Sequence, residues 1–362
     1  MFHGSYRPAD VEFLLKPIKI DFIENLKHKE ALIQSGERHY SEMLSPERVP
    51  SEQYLALFRK AHVANRDRLA RNCLGLAYLI HEHYGPDVTI VSLVRAGTPI
   101  GAIVRHLIEH VYGGRPAHYS VSIIRDRGID TVALDEILTR GHSPESIAFV
   151  DGWTGKGVIS RELEIAVRDF NKRRGTRIDW GLNVLTDLAG TAARSASSED
   201  YLIASSILNS TISGLVSRSI LNGAISKDDY HGCVFFGEFA QHDLSQWFVD
   251  DVVAAALAVR ERDDIECPRA PTRAALAATS RSFMAQAMER YGINDENLIK
   301  PGIGEATRVL LRRMPDRVIV RDFTCDRIEH LIALAAEKGV PVVLDPDLPY
   351  HAVSIIRSVR YE

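Results

Sequence analysis

Along the chain, short blocks of consecutive apolar, largely β-branched residues alternate with longer stretches whose apolar positions recur at helical spacing. Val88–Val94 (VTIVSLV), His118–Ile124, Ser146–Val150 and Leu182–Thr186 read as strands, the first as a fully buried one. Between and around them, Asp67–Tyr84, Ile100–Tyr112 and Val158–Lys172 read as helices. In the first of these, Leu69, Cys73, Leu76, Leu79 and Ile80 share one face. Strands alternating with helices predict a mostly parallel sheet covered on both faces, with ligands outside the carboxyl ends of its strands. The first fifty residues read as an arm or cap, and Ile207–Ile220 (ILNSTISGLVSRSI) as a core helix with hydroxyls bonded back to carbonyls.

The pattern breaks at Glu261–Pro271 (ERDDIECPRAP), an acidic segment with two prolines, and an alanine-rich helix at Thr272–Tyr291 follows. Beyond it a second α/β pattern begins. Glu305–Arg313 and Asp326–Lys338 are helical in spacing, and Arg317–Val320 and Val340–Leu344 are strand-like. The predicted division is 1–265 as the large domain with its arm, 266–291 as linker and helix, and 292–362 as a small module. A length of 362 residues accommodates two domains.

Composition narrows the function classes. The chain is 45% hydrophobic and 25% charged, with a formal net charge of -4. That is a globular composition and excludes a polycation that coats nucleic acid, although local anion sites remain open. Four scattered cysteines (73, 233, 267 and 325) form no CxxC pair. Such sparse cysteine fits a reducing, cytoplasmic setting. His81-Glu82-His83 lacks the i, i+4 histidine spacing of a zinc helix.

The segment SIAFVDGWTGKGVISREL (146–163) carries the clearest chemistry. A strand ends in Asp151, and Thr154-Gly155-Lys156-Gly157 then leads directly into a helix. Glycines allow close backbone approach, and the helix start presents unpaired N–H groups, so the loop reads as a phosphate site. Trp153 offers a surface on which a base could stack.

This strand–acid–TGKG–helix segment resembles the phosphoribosyl pyrophosphate (PRPP) loop of type I phosphoribosyltransferases. Val91–Thr98 (VSLVRAGT) resembles their pyrophosphate loop, and Ser122–Gly128 lies where they carry a basic hood. The wording VSLVRAGTPIG, HYSVSIIRDRGID and FVDGWTGKGVISREL further resembles a phosphoribosyltransferase-like group found near tellurite-resistance genes and also catalogued as a cysteine protease family, StiP. The resemblance implies a type I phosphoribosyltransferase-like sheet and PRPP-dependent transfer in a stress response, with Asp151 on a ribose hydroxyl. Thr154, Gly155, Lys156 and Gly157 would hold the 5′-phosphate, and Arg95, Ala96, Gly97 and Thr98 would face the pyrophosphate. Arg125 would act from the hood and Trp153 would border the base. Mg²⁺ would arrive with PRPP rather than on dedicated protein ligands.

Cys233 supports an alternative, a cysteine hydrolase. In HGCVFF, His231 and Cys233 share one face of a strand, and His242 follows closely. A histidine in contact with a thiol can activate it. In the C-terminal module, KPGIGEATRVL resembles the RNA-contacting stretch of Pelota and ribosomal-protein L7Ae type domains. That implies an α/β/α sandwich in which Gly302, Glu305, Thr307 and Arg308 meet structured RNA. A third reading, a non-catalytic nucleotide-sensing RNA binder, combines the two modules.

Overall fold

The computed structural model describes residues 1–262 and 272–358. Most of the predicted linker, Cys267 included, lies outside the described residues, as do residues 359–362.

Six strands form the large sheet, in the order Glu12–Leu14, Ala117–Val121, Thr89–Leu93, Ile147–Thr154, Leu182–Asp187 and Arg194–Ser197. All neighbouring pairs are parallel. Alternate side chains of the buried strands enter two different cores. Ile90, Ala148, Val150 and Leu185 face one core, with helices Glu52–Tyr84, Gly97–Tyr112 and Ser245–Arg262. Val91, Phe149, Leu182 and Val184 face the other, with helices Thr131–Thr139 and Val158–Arg174. The mixed α/β reading with a mostly parallel central sheet is thus the observed architecture.

Three segments differ from their sequence reading. The N-terminal arm contributes an edge strand, because Phe13 and Leu14 are buried against Ala117–Val121. The helix read from Asp67 begins at Glu52, where Ser51 caps it by accepting from the Tyr54 amide at 3.3 Å. Residues 207–220 are not a helix. They form an irregular buried segment with a 3-10 turn at Ser210–Ile212 and Gly214 at a φ of +82°. Its hydroxyls bond within the segment (Ser213 Oγ to Asn209 O, 2.9 Å) or accept from other amides (Val234 N to Ser217 Oγ, 2.9 Å), which competes with helix formation.

The C-terminal module is a four-stranded sheet ordered Ile299–Pro301, Ala352–Ile356, Pro315–Val320 and Val342–Leu344. Val318, Val320 and Ala352 face helices Ile303–Arg312 and Glu329–Glu337. Ile319, Val353 and Ile355 face Phe283, Met284 and Ala287 of helix Arg273–Tyr291. Period-two alternation therefore produces three layers. Ile303, Ala306 and Leu310 belong to the same buried cluster as the large domain's Leu202, Ile203 and Ile207, so the module is packed into the large domain. Among the described residues, no helix is long and apolar enough to cross a membrane.

Candidate functional site at the seam between the two modules

The carboxyl end of strand Ile147–Thr154, where a ligand would be sought, is covered by the C-terminal module. At the end of strand Ile147–Thr154, Trp153 Nε1 donates to Glu305 Oε1 at 3.3 Å, and the Arg308 guanidinium lies 5.8 Å from the Trp153 ring centroid. Lys156 Nζ donates to the carbonyl of Glu296 at 2.5 Å. The Thr154 hydroxyl is turned inward, donating to Asp187 Oδ1 at 2.5 Å, while Asp187 accepts from the amides of Ala189 and Ala192. Gly157 sits at a φ of +77° with Thr191 where a Cβ would stand, so this position requires glycine. Gly155 faces Pro301 and Glu305. The crevice left among Trp153, Leu188, Asp200, Gly302 and Glu305 has a volume of ≈ 10 Å³, about the room for one water.

The remaining loop residues are structural partners. Gly97 opens helix Gly97–Tyr112 where a Cβ would collide with Val150 O, Ala96 is the cap, and the Thr98 hydroxyl is bonded to Ser120 Oγ at 2.6 Å. Arg95 forms a buried ion pair with Glu47 at 2.5 Å. Arg125 donates to Asn297 Oδ1 at 3.3 Å and stacks over Tyr40. Cations from both modules surround this seam. Burial pulls Lys29 and Lys156 down to about 8, and neighbouring Arg218 and Lys300 respectively act in the same direction.

Burial pushes Asp151 up to about 7, even though it accepts from the Gly152 amide at 2.8 Å and lies near Arg308. An unfolded aspartate titrates near 3.9. The unfolded chain therefore gives up this proton first, and stability falls as pH rises from about 4 through 7. Asp151→Asn keeps the amide acceptor without the charge. It should stabilise the chain by about 2–4 kcal/mol at pH 8 and have little effect at pH 4, as measured by urea unfolding at the two pH values.

Of the four residues singled out for RNA contact, Gly302 and Thr307 are buried and Glu305 turns to Trp153, whereas the Arg308 side chain remains 41% exposed. Gly302, at a φ of +91°, leaves no room for a Cβ against Leu188. Glu305 bonds Trp153 and pairs with Arg308 at 2.9 Å. Thr307 is fully buried, donating to Ile303 O at 2.8 Å and touching His330 Nε2 at 2.9 Å. The stretch that resembles an RNA-contacting surface serves here as the inter-module contact.

The structure does not bring Cys233 together with either expected histidine. Cys233 is fully buried, its thiol is pushed up to about 12 by burial, and the thiol sulfur has no hydrogen-bond partner among the described residues. His231 Nδ1 is bonded to Ser122 Oγ at 2.7 Å, and His242 is exposed at the end of a 3-10 turn. Cys73 is buried within helix Glu52–Tyr84. The thiol–imidazole contact lies elsewhere: Cys325 Sγ, half-buried, is 3.7 Å from His351 Nδ1.

Local chemistry places this pair. After strand Pro315–Val320, Asp322 Oδ1 accepts from both the amide and the hydroxyl of Thr324 at 2.8 Å. This Asx turn delivers Cys325 to the cap of the turn Asp326–Ile328. His351 immediately precedes strand Ala352–Ile356, and its carbonyl accepts from Arg321 N at 3.1 Å. From the large domain, buried Asp200 accepts from the His351 amide at 2.9 Å and the Ile303 amide at 2.8 Å. Arg321 Nη2 donates to His351 Nδ1 at 2.9 Å, the same nitrogen that faces Cys325, and Arg327 Nη1 is 3.5 Å from Nε2. Burial, then these two arginines, lowers the His351 pKa. Sequence reading missed the pair because its members are 26 positions apart and meet only through antiparallel pairing of their two strands.

Comparison with known proteins agrees with a thiol chemistry. Residues 4–253 match the family described as tellurite-like stress resistance cysteine protease StiP, and residues 278–358 match the PELOTA RNA binding domain, which suggests an RNA partner. The cysteine protease StiP of Acinetobacter baylyi is 38% identical over 369 residues, covering 99% of this chain and 95% of that protein. These matches overturn PRPP-dependent transfer as the activity, since both the family and the relative are named as cysteine proteases. The chain belongs to the StiP family of tellurite-like stress resistance cysteine proteases.

Proposed function

We propose that this chain hydrolyses peptide bonds with Cys325 as nucleophile and His351 as its base. The observation that carries the reading is the 3.7 Å contact between Cys325 Sγ and His351 Nδ1. His351 takes the thiol proton, sulfur attacks the peptide carbonyl carbon, and the amine leaves with the proton from the imidazolium. Water, deprotonated by the same imidazole, cleaves the thioester, releasing a carboxylic acid and restoring the thiol. For the first step Nδ1 must exchange the hydrogen bond it accepts from Arg321 for the thiol proton.

An extended substrate has a place to bind. Val342–Leu344 is an edge strand, with Val343 40% and Leu344 48% exposed. Leu344 pairs with Val320, one residue before Arg321, so the edge reaches the same end of the sheet as His351. A peptide added to that edge gains main-chain hydrogen bonds and is led toward the thiol.

One observation favours a second reading. The StiP match spans 4–253, and its cysteines are Cys73 and Cys233 rather than Cys325. Hydrolysis of fluorescein-labelled casein by Cys325→Ala and Cys233→Ala separates the two. Cys325→Ala should lose at least ~10³-fold in rate and Cys233→Ala should stay near wild type. The opposite pattern would move the nucleophile to Cys233.

A further inference from the structure

The C-terminal end of helix Gly97–Tyr112 carries His106, Glu109 and His110 at i, i+3 and i+4, which places the three on one face. One ligand atom from each lies within 4.8 Å of the other two. This cluster is at the opposite end of the helix from Gly97 and Asp151, and it is separate from the Cys325 site.

We propose that His106, His110 and Glu109 bind a divalent transition-metal ion of the Zn²⁺ class, with a fourth position open to water. The donor set, two imidazoles and one carboxylate, is one that Zn²⁺ accepts, with bonds near 2.0–2.2 Å. Hard ions such as Ca²⁺ or Mg²⁺ prefer all-oxygen sites.

The surroundings point to a ligand rather than to a chance surface cluster. Metal-binding histidines characteristically donate their second ring nitrogen to a carboxylate or a backbone carbonyl, which fixes tautomer and orientation. Both histidines do so here. His106 Nε2 is 2.6 Å from Asp10 Oδ1, and Asp10 is only 1% exposed. His110 Nδ1 is 2.7 Å from the His106 carbonyl. Each ring therefore keeps one nitrogen for the ion. Glu109 spends Oε2 on Arg105 at 2.9 Å and keeps Oε1. Asp10 belongs to the N-terminal arm just before strand Glu12–Leu14, so an ion held here would tie the arm to the helix.

The ligand atoms, at most 4.8 Å apart, must settle at the separation of roughly 3.3 Å that bonds of about 2.0 Å impose at a tetrahedral centre. His110 is exposed, so it can move without disturbing the core.

The test is titration of tag-free full-length protein with ZnCl₂ by calorimetry, supported by the visible spectrum of the Co²⁺ form. Wild type should take up one equivalent, show tetrahedral Co²⁺ bands and melt at a higher temperature with Zn²⁺ present. His110→Ala, at an exposed position, should abolish all three responses. Asp10→Asn should weaken binding by ~10–100-fold, as loss of an orienting partner does. His28→Ala, an exposed histidine elsewhere, should bind like wild type. Unchanged binding by His110→Ala, or no uptake by wild type at millimolar Zn²⁺, would overturn the site.

Discussion

Asp200→Ala should release the C-terminal module from the large domain, at a cost of about 2–6 kcal/mol to their association. Asp200 is a buried carboxylate from the large domain that accepts from two module amides, Ile303 at 2.8 Å and His351 at 2.9 Å. Removing the acceptor leaves both N–H groups buried and unpaired, at about 1–3 kcal/mol each. Urea unfolding should then resolve two transitions in place of one. Asp200→Asn keeps one acceptor and should lie between wild type and Ala. Casein hydrolysis should fall with docking, because the His351 backbone loses its anchor. A single transition with an unchanged midpoint would mean that Asp200 does not hold the modules together. Burial also pushes Asp200 up to about 6. Like Asp151, it makes the wild type less stable as pH rises from about 4 through 6, so the cost of Asp200→Ala is largest at acidic pH.

Arg95→Ala should cost about 3–5 kcal/mol, the usual penalty for leaving one partner of a buried pair uncompensated. Arg95 and Glu47 side chains are 16% and 13% exposed and meet at 2.5 Å. Burial acts to raise the Glu47 pKa, but Arg95 and the Ser210 amide, 3.0 Å away, outweigh it and hold the group below the ordinary glutamate value. Glu47 is on the N-terminal arm, and Arg95 also reaches Asn209 Oδ1 and Val216 O at 3.4 Å. The pair thus ties the arm to the irregular segment at 207–220. A double variant, Glu47→Gln with Arg95→Met, should recover most of the loss. Additive destabilisation in that cycle would show that the two side chains do not act as a pair.

The alternation of apolar blocks was enough to reveal a parallel sheet, because buried parallel strands are apolar on both faces and need no context to be recognised. Arg194–Ser197 escaped because an edge strand of hydroxyls and an arginine has no such signature. Glu12–Leu14 escaped because three residues are too few for periodicity. Residues 207–220 misled because their apolar content comes from burial and not from a helix.

The site was less legible for a different reason. Thr154–Gly157 has the local chemistry of an anion loop, yet what stands over it, Glu296, Pro301 and Glu305, comes from more than 130 positions away. Likewise, Cys325 draws its histidine from a neighbouring strand and that histidine's anchor, Asp200, from the other module. Cys233, with His231 two residues away, looked the better nucleophile in one dimension, but burial and the Ser122 hydrogen bond separate the two functionally. The metal-type cluster on helix Gly97–Tyr112 was readable in principle, since His106, Glu109 and His110 are helical neighbours. Its partner Asp10, which orients His106, is 96 positions away.

The most direct measurement is identification of the cysteine that reacts with an irreversible peptidyl vinyl sulfone, by intact mass and tryptic mapping of full-length protein. The account predicts one adduct per chain on the peptide Asp322–Arg327, with loss of casein hydrolysis in proportion to labelling. An adduct on the peptide containing Cys233, or full activity after Cys325 has been labelled, would contradict it.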